Sequence, residues 1–491
     1  MAPTQAAVIG VDLGTTSCKA GIFALDGELL GHGTADCSVS RPQPGWVEQN
    51  PEDYWGSARA AIHDALSSAG STQPLGLACC GHTPSLVFLD AAGYSIRPAI
   101  IWQDSRAAQE ADALEAQIPA DTWAAWLGMN LPRNASYPPA RLRWLQEHEP
   151  DTLRRTHTLL QPKDYLNYRL TGRVASDHWS NKGLAHLQTG EPIQTYHDLL
   201  GIDPAIAPAS LYPHHELAGL TPDAARQLEL PAGLPVAVGW SDAMCGMLGT
   251  GALASSGMAF DIAGTSDIIG LTADHQPTMA GGVLAAPVLD GNLHIIYGPT
   301  QTSGGAISWF LGRFWPELDA HALDDAAAPS SDGLVFLPYL EGERTPIWDA
   351  KARGVFFGAS LAHTRAHFLR AVLEGVAFSI RHVLERAEDA SGVSVGSVRV
   401  SGGGGQSALW NQIKADVLGR TMLPTAIRDA GILGAAMLAG MAANVWSDIE
   451  AASAAMVRTG PPVEPDASAR AAYERSYQVY RALYLRLRDL F

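Results

Sequence analysis

The chain has 491 residues, 47% hydrophobic and 17% charged, and a formal net charge of −17. That length exceeds what one hydrophobic core sustains, so two or more domains are expected. The acidic balance, with no basic cluster, argues against nucleic acid or an anionic membrane as partner; a few local donors would still suffice for a phosphorylated ligand.

Five cysteines form no disulfide framework and no zinc-type Cys-x-x-Cys, and the adjacent Cys79-Cys80 after an apolar run reads as buried thiols. His363 and His367 lack accompanying ligands and read as structural. Residues 1–7 lack the apolar core of a signal peptide, and no segment offers ~20 uninterrupted apolar residues, so no membrane span and a cytoplasmic location are expected.

In chain order, 7–22 and 28–35 read as strands, the first interrupted by the turn Asp12-Leu13-Gly14-Thr15-Thr16-Ser17. That turn is either a plain polar hairpin bend or an anion cradle: Gly14 lets the backbone come close, Thr15 and Thr16 offer hydroxyls and amides, and Asp12 can hold hydrated Mg²⁺. Pro51–Ala69 reads as a helix capped by Asn50, with apolar Tyr54, Ala58, Ile62 and Leu66 on one face. Strands follow at 75–80 and 86–90, an amphipathic helix at 140–148, a short strand at 235–238 and a helix after Ser241. A second unit opens with strands at 257–262, 266–271 and 293–297, where Gly264-Thr265-Ser266 repeats the Gly-hydroxyl bend of 14–17. A helix at 367–386, a strand at 398–400 and the glycine loop 402–405 entering another helix complete the pattern. The boundary falls near 245–256, giving domains 1–250 and 251–491 without a low-complexity linker.

Three separated segments, 12–16, 264–266 and 402–406, are thus each suited to touch a nucleotide, although the four glycines 402–405 alone also fit a flexible helix entry. Together with Ile101–Arg106, Leu160–Tyr165, Gly239–Gly246, Gly342-Glu343-Arg344-Thr345-Pro346, Gly354-Val355-Phe356-Phe357-Gly358 and Leu373-Glu374-Gly375, they resemble the FGGY family of carbohydrate kinases within the actin-like ATPases. Tyr137–His148 matches a further family segment, with Arg141 where Lys is usual.

The resemblance implies an α/β fold of two ribonuclease H-like (actin-like ATPase) domains with a nucleotide cleft between them. It implies phosphoryl transfer from ATP with Mg²⁺ to a small-molecule sugar, and leaves a homodimer open. Asp242 in Gly239-Trp240-Ser241-Asp242-Ala243 matches the family's catalytic Asp; by position alone it is either that base or a helix N-cap. Asp12, Thr15 and Thr16 would meet phosphate and metal, and Gly264, Thr265 and Ser266 the phosphates. Gly305, Gly403, Gly404 and Asn411 would line the adenosine site, with Gly305 alternatively a helix-entry glycine.

Within the family, Arg41-Pro42, Trp46, Glu48–Pro51, Pro162–Leu166 and Ala175-Ser176-Asp177 resemble the branch that phosphorylates D-xylulose. That branch carries Gln-Met-His-Gly where this chain has His82-Thr83-Pro84-Ser85, Asn where it has Ala243, and Asn where it has Gln103. The substrate residues read from this pattern are His82, Thr83, Pro84, Trp102, Asp104 and Asp242. His82 either bonds a sugar hydroxyl or is structural, Trp102 either stacks on a sugar or packs in the core, and Asp104 either reads hydroxyls or pairs with Arg106. The expected acceptor is D-xylulose or a related pentulose. The alternatives are another polyol or sugar acid, or a catalytically inactive actin-like nucleotide-binding protein.

Overall fold

The structure is a computed structural model and describes residues 4–129, 131, 133–278, 282–288, 293–319 and 322–491. The chain forms two compact units, Met1–Gly249 with Gly431–Met456, and Thr250–Ala430 with Val457–Phe491.

The first unit is built on a sheet of β1 (Gln5–Leu13), β2 (Ser17–Ala24), β3 (Leu29–Asp36), β4 (Thr72–Gly81), β5 (Glu216–Gly219), β6 (Pro235–Ala237) and β7 (Trp240–Ser241). Its order is β5-β6-β4-β1-β2-β3, with β7 also on β4. The first three strands run antiparallel, and β4 returns parallel to β1 after α1 (Pro51–Ala69). This helix occupies the residues expected from its Pro51 start, and the Asn50 side chain accepts from the Glu52 amide. Two more helices, α2 (Pro138–His148) and α3 (Pro162–Thr171), pack nearby, and α4 (Asp242–Gly249) follows β7 directly.

The second unit repeats the scheme. Here β8 (Ala259–Ala263), β9 (Asp267–Ala273), β10 (Leu284–Pro287), β11 (His294–Pro299), β12 (Ser397–Gly402) and β13 (Thr421–Pro424) form a sheet of order β10-β11-β9-β8-β12-β13. Strands β8, β9 and β11 are antiparallel; after α5 (Gly304–Phe314) and α6 (Arg365–Ser391), β12 returns parallel to β8. Three antiparallel strands, a helical crossover and a parallel return beside the first strand make each unit ribonuclease H-like. Both hairpin turns, 14–16 and 264–266, then sit at the carboxyl end of the first strand. The crossover helix α6 extends beyond its expected limits because the Thr364 amide donates to His367 Nδ1 at its start and Gly392, at φ 68°, ends it. His367 thus serves as a cap and His363 precedes the helix, in line with their structural reading. The helices that follow include α7 (Ala408–Leu418), α8 (Ala430–Ala442) and α9 (Arg470–Leu487). Among the described residues no helix is long and apolar enough to cross a membrane.

The expected division into two continuous stretches, 1–250 and 251–491, differs from these units in one respect: Gly431–Met456 returns to the first. The physical cause is backbone packing. A Cβ at Gly10, in the middle of β1, would lie 1.9 Å from the Ile432 carbonyl oxygen, and one at Gly434 would lie 2.0 Å from that of Cys245. Glycine at both positions lets α8 lie directly on β1 and α4, and small residues dominate its sequence, Ala-Gly-Ile-Leu-Gly-Ala-Ala-Met-Leu-Ala-Gly. Gly10→Ala should therefore force helix and strand apart, an overpacking cost of about 1–3 kcal/mol or more. Thermal unfolding should show the earliest transition moving down by several degrees; an unmoved transition would refute the close approach.

Candidate active site

Sheet register gathers the first unit's candidate residues. Asp12, next to last in β1, lies opposite Cys80 of β4, and Trp240-Ser241 pair with Cys80-Gly81 of the same strand. The Asp12 turn, the 82–85 loop and Asp242 therefore emerge at the carboxyl end of one sheet, where open α/β sheets bind ligands. The chain reaches Asp242 through Gly239, at φ 74°, where a Cβ would lie 2.0 Å from the Cys79 carbonyl oxygen. Lys163 and Asn167 of α3 both donate to the Val238 carbonyl, the latter at 2.7 Å, and so fix the same approach from the other side.

Asp242 is the first residue of α4, and the Met244 amide donates to the Ser241 hydroxyl at 3.4 Å. The capping contact thus belongs to Ser241, while Asp242 Oδ1 accepts the adjacent Ala243 amide at 2.7 Å. Burial, followed by the charge of Asp12, pushes the Asp242 carboxyl up to about 7, with Lys182 opposing. Asp12 is half-buried; Cys80 Sγ donates to its Oδ1 at 3.3 Å, and a Cβ on Gly431 would approach its Oδ2 to 2.8 Å.

The two Gly-hydroxyl turns are built alike. The Gly14 amide donates to the Ser17 carbonyl at 3.0 Å, and the Gly264 amide to Asp267 Oδ1 at 3.0 Å. The next two amides in each, of Thr15 and Thr16 and of Thr265 and Ser266, donate to no group among the described residues. Paired outward amides with adjacent hydroxyls fit an anion such as phosphate. The Asp12 carboxylate beside them is a hard oxygen ligand of the kind hydrated Mg²⁺ takes.

The substrate candidates part company. Trp102 is 38% exposed rather than packed in the core, and its Nε1 donates to Thr15 Oγ1 at 2.9 Å. Asp104 is buried with both oxygens engaged, by Arg106 and by the Val47 amide at 2.6 Å, so it takes the ion-pair alternative. His82 is 2% exposed. Burial and the nearby Arg141 push it down to about 3, so its ring is neutral. Its Nδ1 meets Ser85 Oγ at 2.8 Å, and its Nε2 has no partner among the described residues. The Thr83 hydroxyl accepts from Lys182 Nζ at 2.8 Å, and the Pro84 carbonyl accepts from Arg141 at 3.0 Å.

In the second unit, the amides of Ser303 and Gly305 both donate to the Thr265 carbonyl at 2.9 Å, which seats the start of α5 against the turn. Gly305 thus serves as a helix-entry glycine in contact with a candidate phosphate turn. At the end of β12, a Cβ on Gly404 would clash with Trp410 and Ala263, whereas Gly403 faces open space bounded by Arg428. Asn411 Nδ2 donates to the Gly405 carbonyl at 2.8 Å and braces this loop, leaving its buried Oδ1 without a partner among the described residues.

Sequence reasoning missed two buried ionisable groups. Lys182 donates to Thr83 and its charge acts on Asp242, but it stands in a short irregular segment whose pattern marks no element. Asp267, pushed well up by burial and by Asp261, holds the 264–266 turn. A carboxylate opening an apolar strand was the available signal.

Comparison with known proteins agrees with this architecture. The pattern of the FGGY family of carbohydrate kinases, N-terminal domain, matches residues 7–249, and that of the C-terminal domain matches residues 260–443. The chain is 32% identical to the xylulose kinase of Escherichia coli K12 over 98% of its length and 99% of that protein. It is 28% identical to the xylulose kinase of Bacillus subtilis 168 over 98% of its length and 97% of that protein. The crystal structure of xylulose kinase from Rhodospirillum rubrum superimposes with a TM-score of 0.87 at 31% identity, covering 99% of both chains. With both halves matched by the family pattern and both units folded alike, the chain belongs to the FGGY family of carbohydrate kinases.

Proposed function

We propose that the protein transfers the γ-phosphoryl group of ATP to a hydroxyl of a small ketose or polyol, D-xylulose or a related pentulose, with Asp242 as the base. The placement of Asp242 carries this reading: a carboxylate at the carboxyl end of the sheet, beside Asp12, with its proton affinity moved to about 7 where a base works best. The relatives named xylulose kinase, matched along nearly their whole length, support the substrate class.

In this reading Asp242 accepts the proton of the attacking hydroxyl. The amides and hydroxyls of Thr15 and Thr16, with Gly264, Thr265 and Ser266, receive the phosphates; Gly305, Gly403, Gly404 and Asn411 serve the adenosine. Asp12 would hold Mg²⁺, which supplies charge neutralisation at the transferring phosphoryl group. Trp102, braced by Thr15, and Thr83-Pro84 border the sugar. Neutral His82 offers it one ring nitrogen, and Asp104 acts behind them by fixing Arg106. A second reading, another five- or four-carbon ketose or polyol, is favoured by a specific observation: Thr83 is engaged by a buried lysine in the loop that differs from the D-xylulose branch.

Asp242→Asn keeps the shape of the side chain but cannot take a proton. It should retain ATP binding by calorimetry while kcat falls roughly 10²–10⁴-fold; near-normal turnover would refute the assignment. A base whose affinity is raised to about 7 loses its charge as pH falls through that value, so kcat/KM should decline below about pH 7. A flat profile down to pH 5.5 would contradict it. On the second reading, a panel of ketoses, polyols and sugar acids should give a higher kcat/KM for another five- or four-carbon acceptor than for D-xylulose. D-xylulose well above all others would return the protein to the simpler reading.

A further inference from the structure

A cavity of about 410 Å³ lies in the second unit, between α6, α9 and the loop 339–347. Helical spacing builds its walls. His382 and Arg386 stand one turn apart on α6, and Tyr480, Tyr484 and Arg488 follow one another at four-residue steps along α9 and just past its end. Arg481 and Leu485 widen the α9 face, and Ile347 closes the side toward the loop. None of these residues belongs to the candidate nucleotide segments, so the proposed reaction leaves the cavity unused.

In a chain of net charge −17, arginines are expected to sit against carboxylates. Elsewhere on α6 they do: Arg370 meets Glu374 at 2.7 Å, and Arg381 meets Glu385 and Glu474, both at 2.8 Å. Charge-assisted pairs close at about 2.7–2.9 Å. The three arginines of the cavity form no pair so close. Arg386 stands 3.4 Å from Asp389 and Arg488 3.8 Å from Asp489. Arg481 is 3.5 Å from Glu385, whose oxygens already take Arg381 and, at 2.6 Å, the Tyr477 hydroxyl. Among the described residues no carboxylate lines the cavity itself. His382, 8% exposed, registers the excess of positive charge: burial, Arg481 and Arg386 push its ring down to about 3. That ring is therefore neutral, and its Nδ1 has no partner among the described residues.

We propose that this cavity binds an organic phosphate monoester, its phosphate taken by Arg386, Arg481 and Arg488 and its organic body by the tyrosine and aliphatic wall. A guanidinium presents a planar fork of donors that matches phosphate oxygens. A phosphate monoester carries a charge of about −1.5 to −2 at pH 7 and so answers more than one arginine, where a carboxylate answers one. The volume falls within the range of roughly 300–1,000 Å³ that small-molecule pockets span. The hydroxyls of Tyr339 and Tyr480 bond each other at 2.6 Å, which holds both rings as a fixed wall with an apolar body.

The experiment is calorimetric titration of the nucleotide-free protein with phenyl phosphate, inorganic phosphate and benzoate, for the wild type, Arg386→Gln and Arg488→Gln. Both side chains are substantially exposed, so the fold should survive their replacement. Phenyl phosphate should bind the wild type, and each variant about tenfold more weakly, because a hydrogen bond to a charged group is lost. Inorganic phosphate lacks the body and benzoate the second charge, so both should bind less tightly than phenyl phosphate. No binding of phenyl phosphate, or binding equally tight in both variants, overturns the proposal; the latter result places the ligand elsewhere, as at the 14–16 or 264–266 turns. Benzoate as tight as phenyl phosphate overturns the choice of phosphate. Without phenyl phosphate, both variants should keep the wild-type kcat and KM for ATP; a loss of turnover would put these arginines in the reaction and overturn a separate site. Should one variant not fold, as judged by circular dichroism, the other decides.

Discussion

The first unit's site depends on one electrostatic constraint: two carboxylates, Asp12 and Asp242, emerge at the same edge of one sheet in a chain that is already strongly acidic. Like charges that share a half-buried edge raise one another's proton affinity. The structure does not separate them. It fixes Asp12 near the end of a central strand and Asp242 at the start of a helix, so that neither can swing away. Ligand charge, metal or protein cation must then balance the pair. Much of the surrounding architecture serves to hold the two backbones at that spacing: the Gly239 backbone contact, the Lys163 and Asn167 bonds to Val238, and the helix seated on Gly10.

The second unit uses the same strand–turn–strand opening without a carboxylate in the equivalent bend. There the acid, Asp267, lies one residue past the turn and is turned inward to hold the Gly264 amide. The two openings thus keep the outward amides in common and differ in where the carboxyl group goes. In the first unit it faces the ligand edge, where a metal can use it; in the second it is committed to shaping the loop.

Much of this was legible in sequence because it is local. Pro51 with Asn50 marks a helix start by chemistry confined to three residues, and the bends at Gly14 and Gly264 announce themselves by residue type. Asp242 stood out by its match to the family's segment, its setting after a short strand leaving base and helix cap both open. What could not be read was long-range. Whether Trp102 packs inside or stands exposed depends on a hydroxyl 87 positions away. Asp104 reads either as a sugar contact or as the partner of Arg106, and the choice turns on the Val47 amide, 57 positions away, which joins Arg106 in occupying its oxygens. Lys182 meets Thr83 across 99 positions from a segment with no periodicity. The return of 431–456 to the first unit depends on glycines at 10 and 434 that meet other elements' carbonyls, and nothing in a one-dimensional pattern says which backbone a glycine will meet.

That returning segment has a consequence for synthesis. Because the first unit is finished by residues 431–456, the chain passes between the units at 249/250, 430/431 and 456/457. A ribosome that has delivered only the first 250 residues has made a sheet with one face of β1 still uncovered, and that face stays bare until nearly the entire second unit has emerged. The N-terminal half therefore cannot mature as an autonomous body ahead of the rest, although domains commonly fold in order of synthesis. Cutting the gene at the apparent boundary would separate a sheet from its own cover. Kinship between the halves, visible in their repeated strands, does not make them separable parts.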